Sequence, residues 1–205
     1  MSGRFARPLP AGHPHLAALE GALAELHGEL LRIEAWGDAL ARVLAGGGRL
    51  LAAGNGGSAS QAQHLTSELV GRYRDERSPL SAIALSAEGP ALTAIGNDYG
   101  VAELFARQVR AHGRSGDVLV ALSTSGRSPN VLAAVQAATD CGMTTWALAG
   151  RPGSPLALAC DDALCVDSPH TATVQEVHLV AIHLLCAAVD LALPAAERPR
   201  LEAAS

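Results

Sequence analysis

Apolar residues recur every three or four positions across residues 15–44, at Leu16, Leu19, Leu23, Leu26, Leu30, Ile33 and Leu40. That spacing predicts a helical region with one apolar stripe. Gly37 offers a point of interruption, and Gly46-Gly47-Gly48 closes the region. The period then changes. Short, almost wholly apolar runs predict strands over 49–53, 81–85, 118–122, 144–148 and 163–166. Between and after them, helices are expected over 58–71, 90–95, 102–112, 129–141, 155–159 and 171–191, with Gly96-Asn97-Asp98-Tyr99-Gly100 separating the second and third. Apolar strands alternating with helices imply an α/β fold: a three-layer sandwich with a five-stranded parallel sheet flanked by helices, here with an N-terminal helical extension. Residues 1–14 read as a flexible arm, 15–192 as one domain and 193–205 as a flexible tail. A long apolar stripe outside an α/β core needs a partner, part of which can be another subunit.

Composition narrows the core. Of 205 residues, 49% are hydrophobic but only 3% aromatic, so Ala, Leu and Val must fill the interior. The net charge is −5 with no basic block, which argues against nucleic acid as a partner. Every basic residue apart from histidine is arginine. Without lysine there is no side-chain Schiff base and no lysine-based phosphate loop. A bound phosphate would be held by backbone N–H groups, hydroxyls or arginine. The four cysteines, Cys141, Cys160, Cys165 and Cys186, form no C-x-x-C pair and read as buried free thiols. No apolar segment of signal or membrane-spanning length is expected, so the expectation is a cytoplasmic protein with no membrane partner.

Two strands end in small, hydroxyl-rich turns, GNGGS (54–58) and STSGRS (123–128). In the second, Ser123, Thr124, Ser125 and Ser128 carry hydroxyls, Gly126 frees the backbone, and Pro129 sits where a helix begins. The open N–H groups of such a helix start favour an anion. Four hydroxyls exceed what one cap requires, although ordinary capping is the plain alternative. The first turn literally fits G-x-G-x-x-G/A, the dinucleotide fingerprint. The acidic residue expected at the end of the next strand is missing, however, and a second hydroxyl turn is not something a dinucleotide requires. A small phosphorylated ligand explains both turns better.

His64 and Glu68 stand four apart on one helix and share a face. They form either a surface pair or part of a cleft that begins at the anion turn. In the last helix Gln175, Glu176, His178 and His183 interrupt an apolar run. His183 lies deep in that run, where a satisfied core histidine is the commoner outcome. His64, Glu68, Gln175 and His183 also offer ligands that suit zinc. Gln175 and His183 are about 12 Å apart along an ideal helix, so both reach one ion only if their side chains converge.

Four motifs in order, GNGGS-x5-H-x3-E-L-x-GRY (54–73), GND-x-G (96–100), STSG-x-S (123–128) and Q-E-x-H-x4-H (175–183), resemble the sugar isomerase (SIS) domain family, and within it the phosphoheptose isomerases. The resemblance spans nearly the whole chain. It implies a five-stranded parallel sheet, a homotetramer, and active sites near subunit interfaces. It implies that Ser58, Ser123, Thr124, Ser125 and Ser128 hold a sugar phosphate in the glycine turn of Gly56 and Gly57. Asn55, Arg72, Asn97, Asp98 and Gln175 would contact the rest of the substrate. Glu68 and His183 carry over as the acid–base pair, and His64, Glu68, Gln175 and His183 as ligands of one zinc ion per subunit.

The reaction so implied converts sedoheptulose 7-phosphate to D-glycero-D-manno-heptose 7-phosphate through an enediol. One carboxylate can serve both carbons and an imidazole the oxygens. If Glu68 also binds metal its basicity falls, so its two roles compete. Other members of the family isomerise different sugar phosphates, or act without catalysis as interaction proteins, one of them assisting a replication initiator. The joint presence of Glu68 and His183 favours the enzyme.

Overall fold

The computed structural model describes residues 12–193. The chain order is α1 (His13–Leu26), a single 3-10 turn (His27–Glu29), α2 (Leu30–Ala45), β1 (Leu50–Gly54), α3 (Gly57–Val70), β2 (Ala82–Ala84), α4 (Gly89–Tyr99), α5 (Glu103–His112), β3 (Val118–Ser123), α6 (Pro129–Asp140), β4 (Thr144–Ala149), α7 (Pro155–Ala159), β5 (Asp162–Cys165) and α8 (Thr171–Ala192). The five strands form one parallel sheet in the order β2-β1-β3-β4-β5. The expected three-layer architecture and its strands are present, with boundaries shifted by one or two residues.

Alternation along each strand divides the interior in two. Leu50, Ala52, Val118, Val120, Leu122, Trp146, Leu148 and Leu164 face α1, α2, α3 and α8. Leu51, Ala53, Leu119, Ala121, Ala147 and Ala149 face α5, α6 and α7. A strand buried on both faces has no polar side, which is why these runs read as continuously apolar. The N-terminal stripe is covered mostly from within: Leu26, Ile33, Trp36, Leu40 and Leu44 are buried in the first of these cores, where α2 packs along α8. Trp36 stacks on Trp146, centroids 4.8 Å apart. Leu16, Leu30 and Leu31 remain exposed, Leu31 at 80%.

Several expectations are corrected. The N-terminal helix breaks at His27–Glu29, not at Gly37. Gly37 is inside α2, and a Cβ there would collide with Ala188 of α8, so this glycine marks a close helix crossing. The segment Gly96-Asn97-Asp98-Tyr99 does not separate two helices; it is the last turn of α4, which ends at Gly100 with φ +84°. His13 and Pro14 belong to α1, with proline in the first turn where its missing N–H costs nothing. At the other end Leu193 is buried, its N–H donating to Val189 O at 3.0 Å. The rest of the expected arm and tail lies outside the described residues. Helix α8, at 22 residues and mean hydropathy 1.6, does reach membrane-spanning length and composition. Its apolarity has another cause here, since it is packed between α1, α2 and α3. The four thiols are free, but only Cys186 is buried; the other three are partly exposed.

Candidate functional site

β1 and β3 are neighbours, with Gly54 opposite Leu122. From β1 the chain turns outward to β2 and then returns past β1 to β3. Strand order therefore reverses between them, and open α/β sheets bind ligands outside such a reversal. The GNGGS and STSGRS turns follow these two strand ends. Asn55 and Asn130 tie them together by a reciprocal amide pair, 2.9 and 2.8 Å. Asn130 was not anticipated, because an asparagine in a helix's first turn looks like ordinary local structure.

In the second turn the hydroxyls converge. Ser123 Oγ lies 3.1 Å from Ser128 Oγ and 3.4 Å from Ser125 Oγ, and it accepts the Gly126 N–H at 3.1 Å. Gly126 has φ +62°. Ser128 stands at the N-cap of α6 yet makes no side-chain capping bond. That counts against simple capping: the hydroxyl turns toward Ser123, while the Val131 N–H is taken by Asn130 Oδ1 at 3.1 Å. Beside this turn is a cavity of about 420 Å³, lined by Thr124, Ser125, Arg127, Arg151, Ser154 and Ser168 among others. Its size suits a small phosphorylated molecule. Arg127 and Arg151 add positive charge; isolated arginines in loops carry no periodic signal that could have singled them out.

The first turn leads into α3. Ser58 is buried. The Gln175 amide occupies the space where a Cβ on Gly57 would stand, so the α8 side chain rests directly on this turn. Gln61 donates from its side chain to the Gln175 carbonyl, joining the first turns of α3 and α8. Two turns further on, His64 Nε2 lies 2.8 Å from His183 Nε2 and 3.6 Å from Glu68 Oε1. The i,i+4 pair thus lines a groove between parallel helices and is not an isolated surface pair. The Tyr73 ring stacks on His183, centroids 5.6 Å apart at 29°.

His183 is half-buried, not a core residue. The core histidine is its neighbour His178, 0% exposed, with Nε2 3.0 Å from Ala149 O. Burial drives the His178 pKa down to about 4, partly opposed by that hydrogen bond. Glu176 reaches away from the groove, to His15 at 3.0 Å.

Three expected substrate residues are not brought to this groove by contacts within the chain. Arg72 is exposed, donating to Arg74 O at 2.9 Å and lying 3.7 Å from Glu76. Asn97 and Asp98 are exposed at the end of α4, bonded to each other at 2.7 Å.

Two imidazoles and a carboxylate are the donor set of an open zinc site. Among the described residues no three such side chains stand as a preformed cage. His64 and His183 are in direct contact, 2.8 Å between their Nε2 atoms. Bonds of about 2.0–2.1 Å to a tetrahedral ion would hold two nitrogens about 3.3 Å apart, so the rings would have to open by about half an ångström. The chemistry of the trio fits the ion. Gln175 is the outlying member of the expected set, held against Gly57.

The SIS domain family model matches residues 15–150. The phosphoheptose isomerase of Streptomyces coelicolor is 61% identical over 183 residues, covering 89% of this chain and 79% of that protein. That of Solidesulfovibrio magneticus is 54% identical over 164 residues, covering 80% of this chain and 79% of the relative. Among solved structures, the phosphoheptose isomerase of Neisseria gonorrhoeae superposes with a TM-score of 0.81 at 42% identity, over 87% of this chain and 96% of that one. The enzyme from Francisella tularensis gives 0.82 at 38% identity with the same coverage. Sheet order, hydroxyl turns and the histidine–glutamate groove thus coincide with likeness across most of both chains, and the protein belongs to the phosphoheptose isomerase branch of the SIS domain family.

Proposed function

We propose that this chain converts sedoheptulose 7-phosphate to D-glycero-D-manno-heptose 7-phosphate. The observation that carries the reading is the line from the hydroxyl turns along the α3–α8 groove to His64, Glu68 and His183. The rise along α3 from Ser58 to Glu68 is about 15 Å. An extended seven-carbon chain with its phosphate, plus a hydrogen bond at each end, has about that reach. Ser58, Ser123, Thr124, Ser125 and Ser128 hold the phosphate through their hydroxyls, and Arg127 and Arg151 draw it in. Asn55, Gln175 and the backbone at Gly56 and Gly57 contact the chain of the sugar. Arg72, Asn97 and Asp98 join only if a second subunit or a loop movement brings them near.

Glu68 removes a proton from C1 as O2 takes one up, giving the enediol. O1 then loses its proton and Glu68 returns one to C2. His183 moves the oxygen-bound protons. Binding the remote phosphate orients the reacting carbons, which lets binding energy act on the chemical step. His64, Glu68 and His183 would hold a zinc ion, with Gln175 as a fourth donor if its amide swings from Gly57; when bound, the ion supplies positive charge beside the carbonyl oxygen. A homotetramer is part of this reading, supported by exposed Leu16, Leu30 and Leu31 on α1 and α2. So is residence in the cytoplasm, supported by four unpaired thiols.

The test is a coupled isomerase assay over ketose phosphates of five, six and seven carbons, with and without chelator. The seven-carbon substrate should have the highest kcat/KM, because shorter chains cannot span both ends. Glu68→Gln should lower kcat by at least about a thousandfold while phosphate-ligand binding persists. Normal turnover by that variant would exclude the proton route.

A further inference from the structure

The segment between α3 and β2 has no regular secondary structure, yet it is firmly anchored. Arg77 is the anchor, its side chain only 3% exposed. Its Nη1 donates to Leu69 O at 2.8 Å and its Nη2 to Glu68 O at 2.6 Å, so it satisfies carbonyls left open at the end of α3. Its Nε donates to Asp190 Oδ1 of α8 at 2.8 Å. One guanidinium thus bonds the backbone of Glu68 and ties the end of α3 to α8 two turns, about 10 Å, beyond His183. A planar five-donor fork can do this and a lysine cannot.

The same segment carries Tyr73, half-buried against the core. Its ring covers the His183 imidazole, whose other neighbour is His64 in an edge contact with centroids 5.0 Å apart. His183 is only half-buried, so packing on its exposed side matters for its orientation, and the tyrosine ring supplies a stacked neighbour there.

We propose that Tyr73 is a positioning residue for the isomerisation: stacked on His183 and held there by the Arg77 anchor, it fixes the imidazole relative to Glu68. This rests on the proton route proposed above. The effect runs through the ring face and does not need the phenol hydroxyl.

The test compares Tyr73→Leu, Tyr73→Phe and Asp190→Asn with the unmodified protein and with Glu68→Gln. Misplacing one catalytic group by an ångström costs on the order of a hundredfold in rate, so Tyr73→Leu should lose about tenfold to a hundredfold in kcat, with KM within about twofold. Tyr73→Phe should restore kcat. Asp190→Asn, which loosens the anchor without touching the ring, should lower kcat in the same direction by a smaller factor. A second readout needs no turnover: ring stacking moves the His183 carbon-bound proton resonances upfield, and this shift should vanish in Tyr73→Leu and persist in Tyr73→Phe. If Tyr73→Leu folds poorly, Asp190→Asn and the resonance shift decide the question. Full kcat in folded Tyr73→Leu, or an unshifted His183 in the unmodified protein, would overturn the proposal. Since Glu68→Gln is measured beside it, an active Glu68→Gln identifies failure of the proton route instead.

Discussion

Two histidines in α8, five positions apart, show how much a residue's role depends on which way its side chain faces. His178 points into the sheet layer and finds one acceptor, Ala149 O; His183 points into the α3 groove and meets His64 and Tyr73. Composition treats them alike, and only the helix's rotation against the sheet separates them. Their consequences differ as well. His178, with its pKa lowered from 6.5 to about 4, is neutral in the folded chain and takes up a proton more readily when unfolded. The unfolded state therefore binds more protons between those values, and stability falls as pH drops from about 6.5 toward about 4. At about 1.36 kcal/mol per pH unit the loss is on the order of 3 kcal/mol. Urea unfolding at pH 7 and pH 4.5 should show this fall, and His178→Gln should show a smaller one. Equal pH dependence in the two proteins would assign the acid sensitivity to other groups.

At the scale of elements, the α2–α8 crossing sets the N-terminal layer. Helix propensity alone predicts that Gly37→Ala stabilises α2 by about 1 kcal/mol. The structure predicts the opposite. The new Cβ would meet the Ala188 side chain and stand 2.9 Å from its backbone carbon, and such overpacking costs about 1–3 kcal/mol. The two terms leave a net loss of up to about 2 kcal/mol, visible as a lower urea midpoint at unchanged m-value. A raised midpoint would mean that the helices separate at little cost. The same reasoning explains why Gly37 reads as a break in the sequence: a glycine that lets helices approach and a glycine that ends a helix are the same letter. The true break, at His27–Glu29, carries no proline, and its one glycine is unremarkable in the pattern. In α4 the Gly-Asn-Asp run looks like a turn by composition but stays helical to Tyr99.

For the whole molecule, the N-terminal helices expose Leu16, Leu30 and Leu31 in the single chain. Light scattering after size exclusion should give the mass of four chains, and Leu31→Glu should reduce it; a monomer of unchanged activity would remove the tetramer from the reading. What could be read without coordinates was periodic or contiguous. Fully apolar strands announced a buried parallel sheet. The two hydroxyl turns were legible as contiguous small-residue motifs at strand ends, and the spacing of His64 and Glu68 put both on one helix face. These follow from local geometry, since a strand repeats every two residues, a helix every 3.6, and a turn is built from neighbours. The Asn55–Asn130 bridge, the arginines of the cavity, the anchor at Arg77 and the stacking of Tyr73 on His183 could not be read that way. Each joins residues from segments whose relative placement depends on how helices dock on the sheet, and no short-range pattern encodes that docking. The sequence by itself determined the elements and the kinds of chemistry each could carry; the tertiary structure decided which side chains meet, because contact between distant segments is settled only when the whole core packs.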